Sequence, residues 1–194
     1  SQNFSLILQQ VMVVGIIAIG QTLIILTAGI DLSCGMAMAL GSVIMTKFAV
    51  DLGMNPYLAI GCGMAVTVLI GFINGALIAY TRIPPFIATL GMMVAARGLS
   101  KWWSKGNPIS FPTDSFAAIG KGMMPVLIFI ALAILFQLIL SYTRYGKHCY
   151  AIGSNEEAAR TTGIKVENHK ILVYMIAGIL ASVAAIVLSS KNLT

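Results

Sequence analysis

The sequence predicts an all-α protein: a polytopic bundle of transmembrane helices in a single domain, residues 1–194. Two observations carry this prediction. Hydrophobic residues make up 58% of the chain and charged residues only 9%, and the mean hydropathy is +0.93, whereas about a quarter of the residues in soluble domains are charged. The apolar residues also fall into runs, several of them close to the roughly 20 residues that cross a bilayer core. We therefore expect a multi-pass integral membrane protein.

Six spans are predicted, at residues 6–28, 35–50, 57–81, 86–103, 123–142 and 171–189. The first three end at polar or helix-breaking residues. A turn carrying Asp31 follows the first span, and Asp51 closes the second. The third ends at Arg82 and the pair Pro84-Pro85, because a helix interior cannot hold two prolines without kinking or breaking. Gly71 and Gly75 within the third span form a small-xxx-small pair, which predicts close approach of another helix.

The last three spans are separated by two polar stretches. The fourth is apolar only as far as Ala96, so we expect a tilted or broken span with an interfacial anchor at Trp103. Residues 104–122 contain Pro108 and Pro112 and are predicted to be a loop. The second polar stretch, residues 143–170, lies between the fifth and sixth spans and holds both histidines and five of the twelve basic residues.

A short polar helix is predicted inside this second stretch. Ser154 and Glu157 have the spacing of a capping box, and Gly163 supplies the left-handed residue that ends a helix. Such a helix has no lipid to bind and no core of its own, so we interpret it as a surface that another protein grips. The density of basic residues places residues 143–170 in the cytoplasm by the positive-inside rule. Both chain ends would then face outward.

Motifs of catalytic and nucleotide-binding sites are missing from the sequence. It contains no Gly-x-Ser-x-Gly elbow and no His-Glu-x-x-His pair, and Gly146-Lys147 lacks the serine or threonine and the earlier glycine of a P-loop. Cys34, Cys62 and Cys149 share no metal or disulfide spacing. We therefore predict no enzyme activity, no catalytic residue, no metal and no cofactor in this chain, so that any nucleotide is bound elsewhere. Because the basic residues lie between apolar runs, nucleic-acid binding is also disfavoured.

Polar residues within the spans are candidates for a substrate pathway, because an unsatisfied polar group is costly in hydrocarbon. The candidates are Gln21, Thr22, Asn74, Thr89 and Gln137. Hydrogen bonding between helices is the commoner explanation for such residues.

Two charged residues near span ends can each be explained in more than one way. Arg97 fits an interfacial anchor, or else an outer gate or a contact with a binding protein. Asp31 fits a cap for the helix that begins near Ser33, rather than an ion ligand. No acidic residue lies in the middle of a span, which disfavours proton- or sodium-coupled transport.

A series of short motifs runs in order along nearly the whole chain: Gly29-Ile-Asp31-Leu-Ser33 with Gly35, Asn74-Gly75, Phe86-Ile-Ala-Thr-Leu90 with Met92-Met93, Arg97-Gly98, and Ala151, Gly153, Asn155-Glu156, Ala158-Ala159 and Gly163-Ile164. The series resembles the permease subunits of ribose-type monosaccharide ABC importers, the inner membrane components of binding-protein-dependent transport systems. The resemblance implies a fold of the vitamin B12 importer type. It also implies three partners: a cytoplasmic ATP-binding cassette subunit that holds ATP and Mg, a second permease subunit, and a periplasmic sugar-binding protein.

In that family, the part similar to residues 143–170 is the loop that holds the coupling helix, which docks on the ATP-binding subunit. The resemblance implies that coupling involves Gly153, Ser154, Asn155, Glu156, Glu157, Ala158, Ala159, Arg160 and Gly163. For the substrate pathway we expect Gln21, Thr22, Asn74, Thr89 and Arg97. Cys34 and Ser154 depart from the family pattern, which has a small apolar residue and a glycine there. A preceding helix and later spans are also missing, so we expect a partial chain.

The leading hypothesis is a permease subunit that moves a sugar by alternating access, driven by a separate ATPase. Two alternatives stay open at this point. One is a membrane receptor or scaffold that recruits a cytoplasmic partner, and the other is a uniporter that needs no ATP. The sequence leaves open which sugar is carried and whether the second permease subunit is identical.

Overall fold

The computed structural model describes residues 2–106 and 123–191, which form helices and short connections without any strand. The prediction of an all-α protein is therefore confirmed. In chain order the helices are α1 (Gln2–Leu26), α2 (Cys34–Val50), α3 (Pro56–Thr81), α4 (Pro85–Ser104), α5 (Met124–Tyr142), α6 (Arg144–Ser154), α7 (Glu156–Thr161) and α8 (Val166–Lys191).

Six of these helices, α1 to α5 and α8, correspond to the six predicted spans. Three are both long and apolar enough to cross a membrane, over Pro56–Thr81, Met124–Tyr142 and Val166–Ser190, and Gln10–Leu26 and Cys34–Val50 are shorter apolar helices. The fourth span was predicted to be tilted or broken, and α4 is one continuous helix. Most of the predicted loop 104–122 lies outside the described residues. The number of spans stays a prediction.

The connections on either side of α3 follow from local backbone chemistry. Asn55 begins α3, because its side chain accepts a hydrogen bond from the Tyr57 amide at 3.0 Å and Pro56 suits the first helical position. Arg82 ends α3 in the left-handed conformation at φ 56°. Helix α4 begins at Pro85, after only Ile83 and Pro84. The two helices are therefore joined by a tight connection.

Helix α8 lies at the centre of the bundle, and α3 packs against it at backbone distance. An added Cβ at Gly75 would lie 2.7 Å from the Ile171 Cα, and one at Gly178 would lie 2.5 Å from the Thr67 carbonyl oxygen. Gly71 faces the Tyr174 carbonyl in the same way. Since no side chain separates the two helices here, the predicted role of Gly71 and Gly75 as a contact for another helix is confirmed.

The other helices surround this pair. Leu23 of α1 is buried with Val173 of α8, and Met45 of α2 is buried with Ala185 of α8. Helix α5 is the outermost and leaves a row of large apolar side chains exposed, namely Leu127, Ile130, Ile134 and Leu138. Such a face suits lipid or a further helix.

Candidate functional site

Residues 143–170 form two short helices and the beginning of α8. Thr143 begins α6, since its hydroxyl accepts a hydrogen bond from the Gly146 amide at 3.3 Å. An added Cβ at Gly153 would collide with the Leu26 carbonyl oxygen at the end of α1. Glycine is therefore required where the end of α6 packs on α1. Gly153, which was predicted as a coupling residue, forms this contact between the two helices.

The predicted capping box of Ser154 and Glu157 is wrong. Ser154 is the last residue of α6, and the next helix begins two residues later, at Glu156. Asn155 is the N-cap: its backbone is extended, at φ −160° and ψ 106°, and its Oδ1 accepts a hydrogen bond from the Ala158 amide at 3.0 Å. The extended residue separates the two helices, so only Asn155 is placed to cap the second. Glu157 is exposed to solvent.

The end of α7 confirms the prediction for Gly163. This residue has φ +87°, and its amide donates to the Arg160 carbonyl at 3.0 Å. The Ile164 amide donates to the Ala159 carbonyl at 3.2 Å. These two bonds form a Schellman motif, which satisfies the last carbonyls of a helix and turns the chain sharply. Helix α7 thus begins and ends within residues 155–163.

One side of α7 is buried, contrary to the expectation that this helix has no core of its own. Ala159 is 3% exposed and packs with Ile152 of α6 and Val166 of α8. Ala159, which was predicted as a docking residue, therefore points into the protein. The exposed residues of α7 are Glu157, Ala158 and Thr161.

Four charged residues join α7 to the beginning of α8, and we call them the ion-pair group: Glu156, Arg160, Glu167 and Lys170. Glu156 uses both carboxylate oxygens, with Oε1 at 2.8 Å from Arg160 and Oε2 at 2.6 Å from Lys170. Arg160 also pairs with Glu167. Partial burial raises the pKa of Glu156, but hydrogen bonds from Lys170 and Arg160 outweigh it and hold the pKa below the ordinary glutamate value. Glu156 is therefore charged at neutral pH.

A second group of polar residues holds the Gly29–Ser33 turn between α1 and α2. The Asp31 Oδ1 accepts from the Ser33 amide at 2.7 Å and from the Ser33 hydroxyl at 2.6 Å. Asn74 of α3, which is fully buried, donates from Nδ2 to the Ser33 Oγ at 2.9 Å. Asp31 was expected to cap α2, but its carboxylate binds Ser33, the N-cap residue itself, and so fixes the turn before the helix.

Two more helices bind the same turn through its backbone carbonyls, and a third lies against it. Gln21 of α1 donates to the Asp31 carbonyl at 3.0 Å, and Tyr174 of α8 donates to the Ile30 carbonyl at 3.0 Å. The Thr89 hydroxyl of α4 donates to Pro85 at 2.8 Å and lies 3.5 Å from the Ile30 carbonyl. Sequence reasoning missed Tyr174, although a tyrosine hydroxyl inside an apolar run is a signal that a buried partner is needed.

The structure thus brings Gln21, Asn74 and Thr89 together and leaves the other predicted pathway residues apart. Thr22 is exposed, and its hydroxyl donates to the Ala18 carbonyl of its own helix at 2.8 Å. Arg97 is exposed on α4. Gln137 is also exposed, and its amide donates to Ser141 one turn further along α5. The polar residues that meet are therefore those that fix the Gly29–Ser33 turn.

Cys149 lies in the contact between α6 and α8 and is fully buried. Its Sγ is 3.2 Å from the His169 Nε2, and the Tyr145 ring packs at 4.6 Å from the His169 ring. Burial raises the pKa of Cys149 to about 11. Within the described residues, no group of three histidine, cysteine or acidic side chains is arranged to hold a metal ion.

An open cavity of about 630 Å³ separates α7 from the connection between α3 and α4. Its walls include Arg82, Pro84 and Pro85 on one side and Asn155, Glu157 and Lys170 on the other. The cavity leaves one flank of α7 accessible. A partner that bound α7 from this side would also meet Arg82.

The chain is similar to known permeases along nearly its whole length. Residues 3–192 match the family described as branched-chain amino acid transport system / permease component. The chain is 39% identical to the ribose import permease protein RbsC of Bacillus subtilis (strain 168), over 97% of this chain and 61% of that protein. It is 38% identical to the fructose import permease protein FrcC of Rhizobium meliloti, over 94% of this chain and 54% of that protein.

A third relative extends the same pattern. The ribose import permease protein RbsC of Escherichia coli (strain K12) is 38% identical over 95% of this chain and 60% of that protein. The chain therefore spans little more than half the length of these curated relatives. No solved structure matches it.

Proposed function

The chain belongs to the branched-chain amino acid transport system / permease component family, and we propose that it is part of the permease subunit of an ATP-driven importer for a monosaccharide such as ribose or a related sugar. The observation that carries the proposal is identity of 38–39% to ribose and fructose import permeases over more than nine-tenths of the chain. Three helices with the length and hydropathy of membrane spans agree with it.

Energy enters from a separate ATP-binding subunit that docks on α7. The sequence has no P-loop, so the nucleotide is held by a partner. Helix α7 is suited to docking because its ends are fixed by Asn155 and Gly163 while Glu157, Ala158 and Thr161 remain exposed. The density of basic residues in 143–170 puts α7 on the cytoplasmic side, where ATP is available.

The remaining parts of the importer follow from the same family. A second permease subunit completes the pathway, and a periplasmic sugar-binding protein delivers the sugar. The full-length fold is of the vitamin B12 importer type. Sugar crosses by alternating access, in which closure of the ATP-binding subunits displaces α7 and the spans behind it. Gln21, Asn74 and Thr89 border the pathway by shaping the Gly29–Ser33 turn.

Reconstitution tests the function. The full-length permease is placed in liposomes with its ATP-binding subunits and its sugar-binding protein, and uptake of labelled ribose and fructose is followed with and without ATP. We expect uptake only when ATP and the ATP-binding subunits are present. Sugar uptake that persists without those subunits would show a uniporter instead.

Docking on α7 is tested separately by crosslinking. Glu157→Cys places a thiol on the exposed face of α7, and a bifunctional thiol reagent should link it to the ATP-binding subunit. Lys105→Cys at the end of α4, on the predicted outer side, is the matched control and should give no link. Equal crosslinking of the two variants would exclude α7 as the helix on which the ATP-binding subunit docks.

A further inference from the structure

Lys170 fastens α7 to α8. Its Nζ lies 2.6 Å from the Glu156 Oε2, and its side chain is 16% exposed while that of Glu156 is 41% exposed, so the lysine end of this ion pair is partly shielded from water. The other oxygen of Glu156 is taken by Arg160. With both oxygens engaged inside the chain, the Glu156 carboxylate stabilises the position of α7.

The attachment has a second and a third point. Arg160 pairs with Glu167 in the first turn of α8, so charged contacts run from α7 to α8 through two separate residues of α8. Beneath them Ala159 packs on Val166. Together with the Lys170 pair, these contacts hold α7 against the beginning of α8.

Displacement of α8 reaches α3 without an intervening flexible side chain. Ile171, the residue after Lys170, is the contact of Gly75, and Tyr174 is the contact of Gly71. Packed backbones resist compression, because protein interiors have the density of organic crystals. A shift at the beginning of α8 is therefore passed to α3 rather than absorbed.

We propose that Lys170 is a positioning residue for energy coupling: by its ion pair with Glu156 it makes α7 and α8 one rigid unit, so that force applied to α7 moves the α3–α8 pair. The proposal rests on the proposed function, in which an ATP-binding subunit docks on α7. It adds that docking alone does not produce transport. The internal ion pair is needed as well.

The experiment measures sugar transported per ATP hydrolysed by the full-length importer in liposomes. Lys170→Met removes the ion pair and keeps the length of the side chain. We expect its ATP-binding subunits to remain attached, with basal hydrolysis unchanged, while transport per ATP falls about 2- to 30-fold. Lys165→Met is the matched control, because Lys165 is exposed and forms no ion pair within the described residues. It should transport as the wild type does.

A rescue variant tests whether the charge at this position is what matters. Lys170→Arg keeps the charge and should restore most of the transport per ATP. The Tm of each variant in detergent is measured as well, so that a loss of folding is seen apart from a loss of coupling.

The outcomes are distinct. Wild-type transport per ATP in Lys170→Met overturns the proposal, and so does loss of the ATP-binding subunits from that variant, since Lys170 would then be a docking residue. Failure of Lys170→Arg to transport more per ATP than Lys170→Met also overturns it. Failure of the wild-type importer to use ATP at all would instead reject the proposed function, and this inference with it.

Discussion

Replacement of Gly71 by alanine should destabilise the protein, because α3 and α8 touch there through their backbones. The added Cβ would meet the Tyr174 carbonyl oxygen, with the carbonyl carbon at 2.9 Å and the Met175 Cα at 3.1 Å. A backbone group cannot turn aside as a side chain can, so the two helices must move apart. Overpacking of this kind costs about 1–3 kcal/mol, and the better helix propensity of alanine returns about 1 kcal/mol of it.

Gly61→Ala is the matched control on the same helix. Gly61 has open space around the position of an added Cβ, so this variant gains the propensity term alone, up to about 1 kcal/mol. The two variants should therefore differ by about 1–3 kcal/mol in the free energy of unfolding, and each kcal/mol corresponds to about 2–4 °C in Tm for a domain of this size. Thermal unfolding of the full-length permease in detergent measures the difference. Equal Tm values for the two variants would show that α3 and α8 are not in backbone contact.

Three further predictions concern residues 143–170. Asn155→Ala should destabilise α7 by about 1 kcal/mol through loss of its cap, which hydrogen exchange would detect as faster exchange of the α7 amides. The amides of Ser154→Ala should exchange at the wild-type rate. Faster exchange in Ser154→Ala than in Asn155→Ala would show that Ser154 is the cap after all. Cys149 should react with a thiol reagent far more slowly than Glu157→Cys from the cytoplasmic side, because it is buried with a pKa of about 11; rapid labelling of Cys149 would contradict its burial. The folded state lowers the pKa of Glu156. The stability that this residue contributes is therefore present at pH values above its ordinary pKa of 4.5 and is lost as the pH falls below that value. A Glu156→Gln variant should therefore lose less stability than the wild type between pH 6 and pH 3, and identical pH profiles of Tm would exclude this contribution.

The ends of the long helices were predictable because local chemistry sets them. Arg82 with the following prolines, and Asn55 before Pro56, interrupt the helical pattern wherever they occur in an apolar chain. The cap of α7 was not predictable in this way. Ser154 and Asn155 are both good N-caps, and the choice between them depends on where α6 ends. Contact of Gly153 with α1 fixes that end, and this contact is tertiary.

The candidate site shows the same division between local and tertiary information. The sequence identified Gln21, Asn74 and Thr89 as polar residues in apolar helices, but it could not say what they meet. Asn74 binds Ser33, which lies 41 residues earlier in the chain. Gln21 and Thr22 are neighbours, yet only Gln21 faces the turn. Helix α1 is apolar along most of its length, and its few polar residues form no periodic stripe that would fix its rotation.

Helix α8 connects the two parts of the candidate site. Lys170 and Tyr174 are four residues apart and so lie on one face of the helix. Lys170 binds Glu156 of α7, and Tyr174 binds the Ile30 carbonyl in the Gly29–Ser33 turn. Between them Ile171 meets Gly75 at backbone distance. If a displacement of α7 moves α8, it therefore acts on more than α3. The same movement of α8 also displaces Tyr174, which binds the turn that Asn74 contacts from α3. In the proposed coupling, α7 and the Gly29–Ser33 turn are thus parts of one mechanical unit, with α8 as its shared element.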